Sequence, residues 1–504
     1  MIHPTLFTGC EPEIAAGTDG RILAVGLAAR EAAGRKAKVV RLTGRAWPGL
    51  IDAHIHLEGL ADRHLTLDLT AAASLEDALQ RITKWSEHLP DDVWVVGAGW
   101  YNDAWKDDAS FPTRQQLDKA AGGRPAFLKR KDGHSAWIST AALTRAGIDR
   151  TTQPPPGGTI DRDKRGEGTG ILRETAMTLV GNLLLPPTEA DLDRAMAKAL
   201  TGLAALGLTA VHSFDSARGF GSWQRLRKRN ELPIRITYNL PVHDLPHAER
   251  MGVQSGWGDE WLRIWGVKAF LDGSLGSRTA EMLDGSGTPR MTQADLTDMV
   301  ARCARAGLNV CLHAIGDGAV RRALDALAPQ KNTPRTWRPR IEHAQCVDPK
   351  DMKRFARIGV IASMQPIHAV ADRKLADTSW PNATANSYAW GALERAGARL
   401  AFGSDAPVET ADPLAGIAAA TKWRRQAKWH PELAVTQAAA RRAYTGGAAY
   451  AVGMEKDAGT LRPGKLCDMT VIDAEGVVAT IVGGKVRFAR TPLSTSRRSA
   501  SKTR

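Results

Sequence analysis

His54 and His56 stand two positions apart, just after the short apolar run Trp47-Pro-Gly-Leu-Ile51. In a strand, successive side chains alternate between faces, so both imidazoles would point the same way. Two imidazoles on one face are half of a metal site; alone, the His-x-His pattern fits an unrelated pair equally well. Four more ligand-type residues lie downstream, each within or just past its own apolar run. Lys268 sits inside Ile264-Trp-Gly-Val-Lys-Ala-Phe-Leu271, where an unpaired ammonium is costly. His313 follows in Cys311-Leu-His-Ala-Ile-Gly-Asp317, His343 in Arg340-Ile-Glu-His-Ala-Gln345, and Asp405 in Phe402-Gly-Ser-Asp-Ala-Pro407. Nitrogen and oxygen donors without a thiolate suit Mn²⁺, Fe²⁺, Co²⁺ or Zn²⁺, with zinc the first choice. A cation there would acidify a bound water into a hydroxide nucleophile. Asp405 could take that proton and pass it to a leaving nitrogen. A buried lysine has a lowered pKa, and its neutral amine can add CO₂ to form a carbamate, an anionic ligand able to bridge two cations.

The residues between these positions alternate apolar runs with helix-forming segments. Eight candidate core strands fall at roughly 49–55, 208–214, 234–240, 264–271, 308–313, 339–344, 359–365 and 398–404. Alternating apolar strands and helices imply a parallel sheet covered on both sides. Eight such units imply a (β/α)₈ barrel of TIM type, an α/β fold whose active site lies at the C-terminal strand ends. Residues 49–56 plus 207–454 are assigned to the barrel, and every ligand candidate falls at that end. The stretch 57–206 is too long for one βα connection and carries strands and helices of its own. It is read as an inserted α+β subdomain over the barrel mouth. Residues 1–48 and 455–490 read as short strands with glycine turns, including a hairpin around Gly483-Gly484. Together they are expected to form a small β-sandwich. The basic, serine-rich stretch 491–504 is read as a disordered tail.

Weaker candidates surround the cluster. His134, in Asp132-Gly-His-Ser-Ala-Trp137, could polarise a scissile carbonyl as a catalytic residue or lie idle on the surface. His368, in Met364-Gln-Pro-Ile-His-Ala369, and Arg278 are substrate-binding candidates. Glu342, next to His343, is a candidate to orient it. Trp100, Trp105 and Trp137 fit an apolar substrate pocket and core packing equally well.

Several of these stretches resemble a known family. Pro48-Gly-Leu-Ile-Asp-Ala-His-Ile-His56, Lys268, His313, Glu342-His343 and Gly403-Ser-Asp-Ala406 are similar to the amidohydrolase superfamily. Lys268-Ala-Phe-Leu-Asp-Gly-Ser-Leu-Gly-Ser-Arg-Thr279 and Asp132-Gly-His-Ser-Ala-Trp137 resemble its YtcJ-like, amidohydrolase 3 branch, which includes N-substituted formamide deformylases. Gly459-Thr-Leu-Arg-Pro-Gly-Lys-Leu-Cys-Asp468 resembles that branch's return into the sandwich, with Cys467 where alanine is usual. The resemblance covers nearly the whole chain except the tail. It implies that His54 and His56 hold one divalent metal with Asp405, that His313 and His343 hold a second, and that Lys268 bridges them if carboxylated. Should Lys268 stay an amine, a single ion is expected.

The 504 residues carry 43% hydrophobic and 24% charged side chains, an ordinary globular composition. No apolar stretch approaches the length of a membrane span, and the N-terminus lacks the pattern of a secretory signal. Five scattered cysteines without a C-x-x-C pair argue against a disulfide framework and for the cytoplasm. The net charge of +14 invites a nucleic-acid reading, but the arginines are dispersed and no binding motif accompanies them. The expected function is therefore metal-dependent hydrolysis of a non-peptide carbon–nitrogen bond, of amide, N-acyl or N-formyl type, in a small molecule. The alternatives are the same site acting on an ester, phosphoester or cyclic amide, and, from another class, a regulatory or nucleic-acid-binding protein on an inactive barrel. No nucleic-acid or membrane partner is expected, and self-association is left open.

Overall fold

The structure, a computed structural model, describes residues 3–90, 93–107, 110–131, 133–185, 187–276, 278–330, 336–493 and 495–497. Its chain divides into two compact units, Met1–Leu60 with Met196–Arg504, and Ala61–Ala195.

Eight parallel strands form the centre of the first unit: β1 (Leu50–Ile55), β2 (Leu208–Ser213), β3 (Arg235–Pro241), β4 (Leu262–Phe270), β5 (Asn309–Ala314), β6 (Arg340–His343), β7 (Ile361–Met364) and β8 (Arg399–Phe402), each paired with the next in chain order. Each matches one of the eight apolar runs to within a few residues. They are legible because a strand covered on both faces needs a continuous apolar run. Helices such as Gln293–Ala306 and Pro349–Ile358 return the chain between strands, and each ends on a left-handed glycine, Gly307 (φ 72°) and Gly359 (φ 84°). The ring closes through residues just past β8. Asp405 donates its backbone N–H to the carbonyl of His54 at 2.7 Å, and His56 donates to that of Ala406 at 2.8 Å.

The barrel interior departs from the aliphatic filling usual in this fold. His212, Asn239, Lys268, Arg340, Glu342 and Ser363 are all buried on its strands.

Strands from both chain ends share one hydrogen-bonded sheet. Lys38–Pro48 is its centre, flanked by Thr5–Glu11 and Met469–Asp473. Both flanks contribute to one core, with Phe7, Ile14 and Ile22 packed in the same cluster as Met469, Val478 and Ile481. The expected sandwich is thus a single sheet folded over a shared core. The expected hairpin joins Gly476–Val482 to Lys485–Ala489. Its two-residue turn puts both Gly483 (φ 58°) and Gly484 (φ 69°) in the left-handed region, which a side chain would disfavour. One part of the tail reading is corrected: Thr495–Arg497 pair antiparallel with Lys38–Val40, because that sheet strand offers them a free edge. Residues 494 and 498–504 lie outside the described residues.

The second unit carries a six-stranded mixed sheet with Ala126–Arg130 between Val95–Trp100 and Ser135–Ile138. Trp100, Trp105 and Trp137 are buried in its core, where Trp105 (tilted, 6.2 Å) and Trp137 (edge-on, 6.1 Å) both contact Trp100. They are packing residues of that unit. No helix among the described residues is long and apolar enough to cross a membrane.

Candidate metal centre

Three side chains from three strand ends converge at the C-terminal pole of the barrel. His54, His343 and Asp405 each offer a donor atom within 4.8 Å of the others, and all three are buried. His54 is on β1, His343 ends β6, and Asp405 follows β8. The barrel register explains the convergence only in part. In a strand, Glu342 and His343 would face opposite sides. His343, however, has φ 73° and Ala344 φ 43°, so the chain leaves its pleat there and both side chains can turn inward. Asp405 (φ 60°) sits in a similar left-handed kink. Non-glycine residues in that region are uncommon and gather at functional sites.

The other expected residues border this trio. His56 Nε2 lies 3.3 Å from Asp405 Oδ1. The His313 ring is 4.5 Å from that of His343. Lys268 Nζ lies 3.4 Å from His54 Nε2 and over the rings of Phe214 and Phe270 at 4.5 and 4.9 Å. The tightest three-donor set thus joins His54 and Asp405 with His343 rather than with His56. His368 Nε2 is 3.4 Å from Asp405 Oδ2, so it belongs to the same cluster. Arg278 is exposed, with φ 56°, and among the described residues no contact joins its side chain to the cluster. His134 belongs to the second unit, where its Nδ1 lies 3.0 Å from Glu174 Oε1 and its side chain is 68% exposed.

The donor chemistry fits a cation. One nitrogen of each central imidazole is engaged from outside, which leaves the other for the cluster. His54 Nδ1 is 2.7 Å from Glu342 Oε2, and His343 Nδ1 is 2.8 Å from Gln365 Oε1. Buried His313 binds the Gly273 carbonyl through Nε2 at 2.9 Å, and its Nδ1 has no hydrogen-bond partner among the described residues. Burial depresses the pKa of His54, with the Lys268 charge adding to it. Burial likewise depresses His343, and His313 falls to about 3. All three are neutral, the form a metal requires. Asp405 behaves oppositely. Burial would raise its pKa, but His368 and His56 beside it outweigh that and hold it well below the carboxylate range. Burial lowers the Lys268 pKa, and the nearby charges of Glu342 and Asp405 offset this only in part.

The structure adds supporting residues and changes the partner of one already singled out. Glu342, expected to orient its neighbour His343, instead reaches His54 across the barrel, since its place on the β6 pleat aims it at the axis. Asp215, just past β2, accepts the backbone N–H of Leu57 at 2.7 Å and lies 3.8 Å from His56 Nδ1. Buried Asp52 accepts from the backbone of His54 at 2.9 Å and of Ser404 at 3.0 Å, tying β1 to the chain after β8. Burial pushes its pKa up to about 7. Asp272 does the same for the turns past β4 and β5, accepting from Glu281 and Gly316 at 3.0 and 2.9 Å. Asp215 and Asp272 had a sequence signal: like Asp405, each is a carboxylate just past an apolar run.

The chain is similar to several known proteins. Residues 38–488 match the model of the amidohydrolase family. The chain is 29% identical to the amidohydrolase YtcJ of Bacillus subtilis over 85% of this chain and 84% of that one. It is 27% identical to the N-substituted formamide deformylase of Arthrobacter pascens over 94% of each. Among solved structures it is similar to a metal-dependent hydrolase of Pyrococcus furiosus, with a TM-score of 0.70 and 27% identity over 92% of this chain and 96% of that one. The chain therefore belongs to the amidohydrolase family, in the amidohydrolase 3 branch with YtcJ, and is a hydrolase.

Proposed function

We propose that this hydrolase cleaves a non-peptide carbon–nitrogen bond, of amide, N-acyl or N-formyl type, in a small molecule. The observation that carries the reading is the convergence of His54, His343 and Asp405 within 4.8 Å. His54, His56, His313, His343 and Asp405 would hold one or two divalent ions, zinc first. Lys268, buried beside His54 with a depressed pKa, is suited to carboxylation and would then be a further ligand. A cation bound there supplies Lewis acidity and an acidified water.

The protein's own groups handle the proton. Asp405 is ionised at neutral pH, so it can accept a proton from the attacking water and deliver it to the departing nitrogen. His368, at 3.4 Å from Oδ2, holds that carboxylate in place. The family match and the resemblance to a formamide deformylase support this choice of bond. The same reading takes the substrate as a small molecule, with no nucleic-acid or membrane partner, and leaves self-association open. Five free, buried cysteines support a cytoplasmic setting.

Metal analysis of the purified protein, followed by turnover on N-formyl and N-acyl amines beside an ester, a phosphoester and a cyclic amide, tests the proposal. The nitrogen substrates should be the ones consumed, and a strong chelator should abolish their hydrolysis. Asp405→Asn should lose most turnover while retaining metal. Full turnover by Asp405→Asn removes the mechanism, and a preference for the oxygen esters removes the bond assignment.

A further inference from the structure

Below the cluster, a line of buried polar groups runs down the barrel axis. Glu342 is fully buried, and its Oε2 lies 2.7 Å from His54 Nδ1. Arg340, two residues earlier on the same face of β6 and also fully buried, donates from Nη2 to the same Oε2 at 3.0 Å, and its Nε lies 2.9 Å from Oε1. The guanidinium is pinned in turn. Nη2 donates to Ser363 Oγ on β7 at 2.8 Å and to the Ala53 carbonyl on β1 at 2.6 Å. Nη1 donates to Nδ1 of His212 on β2 at 3.0 Å. Phe214 stacks on His54 at 4.2 Å and 28°, which fixes the plane of the ring.

A carboxylate at this depth needs a hydrogen-bonding partner, and Arg340 supplies one whose fork matches it. The pair presents a carboxylate oxygen to His54 Nδ1 at 2.7 Å. An imidazole nitrogen facing such an acceptor carries the proton, and the other nitrogen keeps the lone pair. That other nitrogen, Nε2, is the one beside Lys268 and Asp405.

We propose that Glu342 and Arg340 are positioning residues. They fix the tautomer and orientation of His54 through an ion pair buried in the barrel axis, and so set the affinity of the centre for its cation. The inference rests on the metal-dependent reading of this site. It adds that the affinity is controlled from β6, β7 and β2, by groups that do not touch the ion. Support of this kind from outside the ligands is worth about 10–100-fold in metal affinity where it has been removed in other metal sites.

The test is a Zn²⁺ competition titration against a chromophoric chelator, with circular dichroism and thermal melting run on the same samples. Glu342→Gln keeps the shape but offers His54 a neutral amide; the affinity of its folded fraction should fall about 10–100-fold. Ser363→Ala removes one bond to Arg340 at modest structural risk. Its affinity should fall about fivefold, in keeping with one lost hydrogen bond, which keeps the proposal testable if Glu342→Gln does not fold. A purely structural role would lower the melting temperature of both variants and leave the Zn²⁺ affinity of the folded protein unchanged; that result overturns the proposal. If the wild type takes up Zn²⁺ and both variants match it, only the positioning role fails. If the wild type takes up none, the metal reading fails and the proposal falls with it.

Discussion

Gly403, between β8 and Asp405, is the residue through which the seam and the site can be perturbed together. A Cβ at this position would collide with the backbone nitrogen of His54 and sit 2.6 Å from Asp52 Oδ1, against 3.4 Å or more in ordinary contact. Both obstacles are tied to the backbone of β1, so no flexible side chain can swing aside. The seam must open by at least about 0.8 Å, the difference between those two distances. Overpacking of this kind costs about 1–3 kcal/mol. The opening also stretches two bonds across the seam, Ser404 N–H to Asp52 Oδ1 at 3.0 Å and Asp405 N–H to the His54 carbonyl at 2.7 Å. Each is worth about 1 kcal/mol, so Gly403→Ala should destabilise the protein by about 3–5 kcal/mol. Because His54 and Asp405 are the groups being separated, turnover should fall about 100-fold. Gly202 is the control. It lies in the helix Glu189–Ala205 with nothing within 4 Å of an added Cβ, and Gly202→Ala should stabilise by about 0.5–1 kcal/mol. Urea unfolding followed by circular dichroism, with metal content and turnover of the folded protein, reads all of these. A Gly403→Ala protein within about 1 kcal/mol of wild type, fully active, would refute the account of the seam.

Other perturbations have defined outcomes. Arg235 on β3 binds Asp468 at 2.7 and 3.1 Å with both side chains buried. Arg235→Met strands that carboxylate and should cost about 3–5 kcal/mol in urea unfolding, while adding Asp468→Leu should recover much of the loss; a single variant as stable as wild type contradicts this. The Arg30 hydrogen bond holds Glu13 down at about 2. Its folded pKa lies below its unfolded value of 4.5, so its stabilisation is complete above that value and is lost as pH falls towards about 2. Glu13→Gln should therefore be less stable than wild type at neutral pH, and the gap should close across this window in pH-resolved unfolding. An unchanging gap would show that the bridge has no part in acid sensitivity. Dialysis against a strong chelator should lower the melting temperature as well as abolish turnover, since a ligand that binds only the folded state stabilises it; an unchanged melting curve with metal demonstrably removed would count against a buried site.

The barrel was legible because its strands announce themselves locally. Leu208–Ser213 and Asn309–Ala314 are apolar runs that follow glycines able to end a helix, and no distant residue is needed to recognise them. The six ligand-type residues were legible for the same reason: each sits at or near the end of such a run. What the chain order does not show is which strand faces which. Glu342 adjoins His343 in sequence, yet it serves His54, because the chain leaves its pleat at His343 and the closed ring brings β1 within reach of β6. Arg340 would pass for a surface arginine, and only the closed barrel reveals that its charge is buried. The tryptophans of the second unit posed the reverse problem, since aromatic residues that fit a pocket fit a core equally well until their contacts are known.

The barrel's first and last rungs supply His54 and Asp405, and Asp52 fastens to Ser404 across 352 positions of chain. Any shorter nascent piece that stops before that closing rung has only scattered donors. The centre is thus a certificate of completeness: a cation offered during synthesis or refolding finds its pocket only in molecules that have shut the ring, and its uptake would count finished copies rather than partly folded ones.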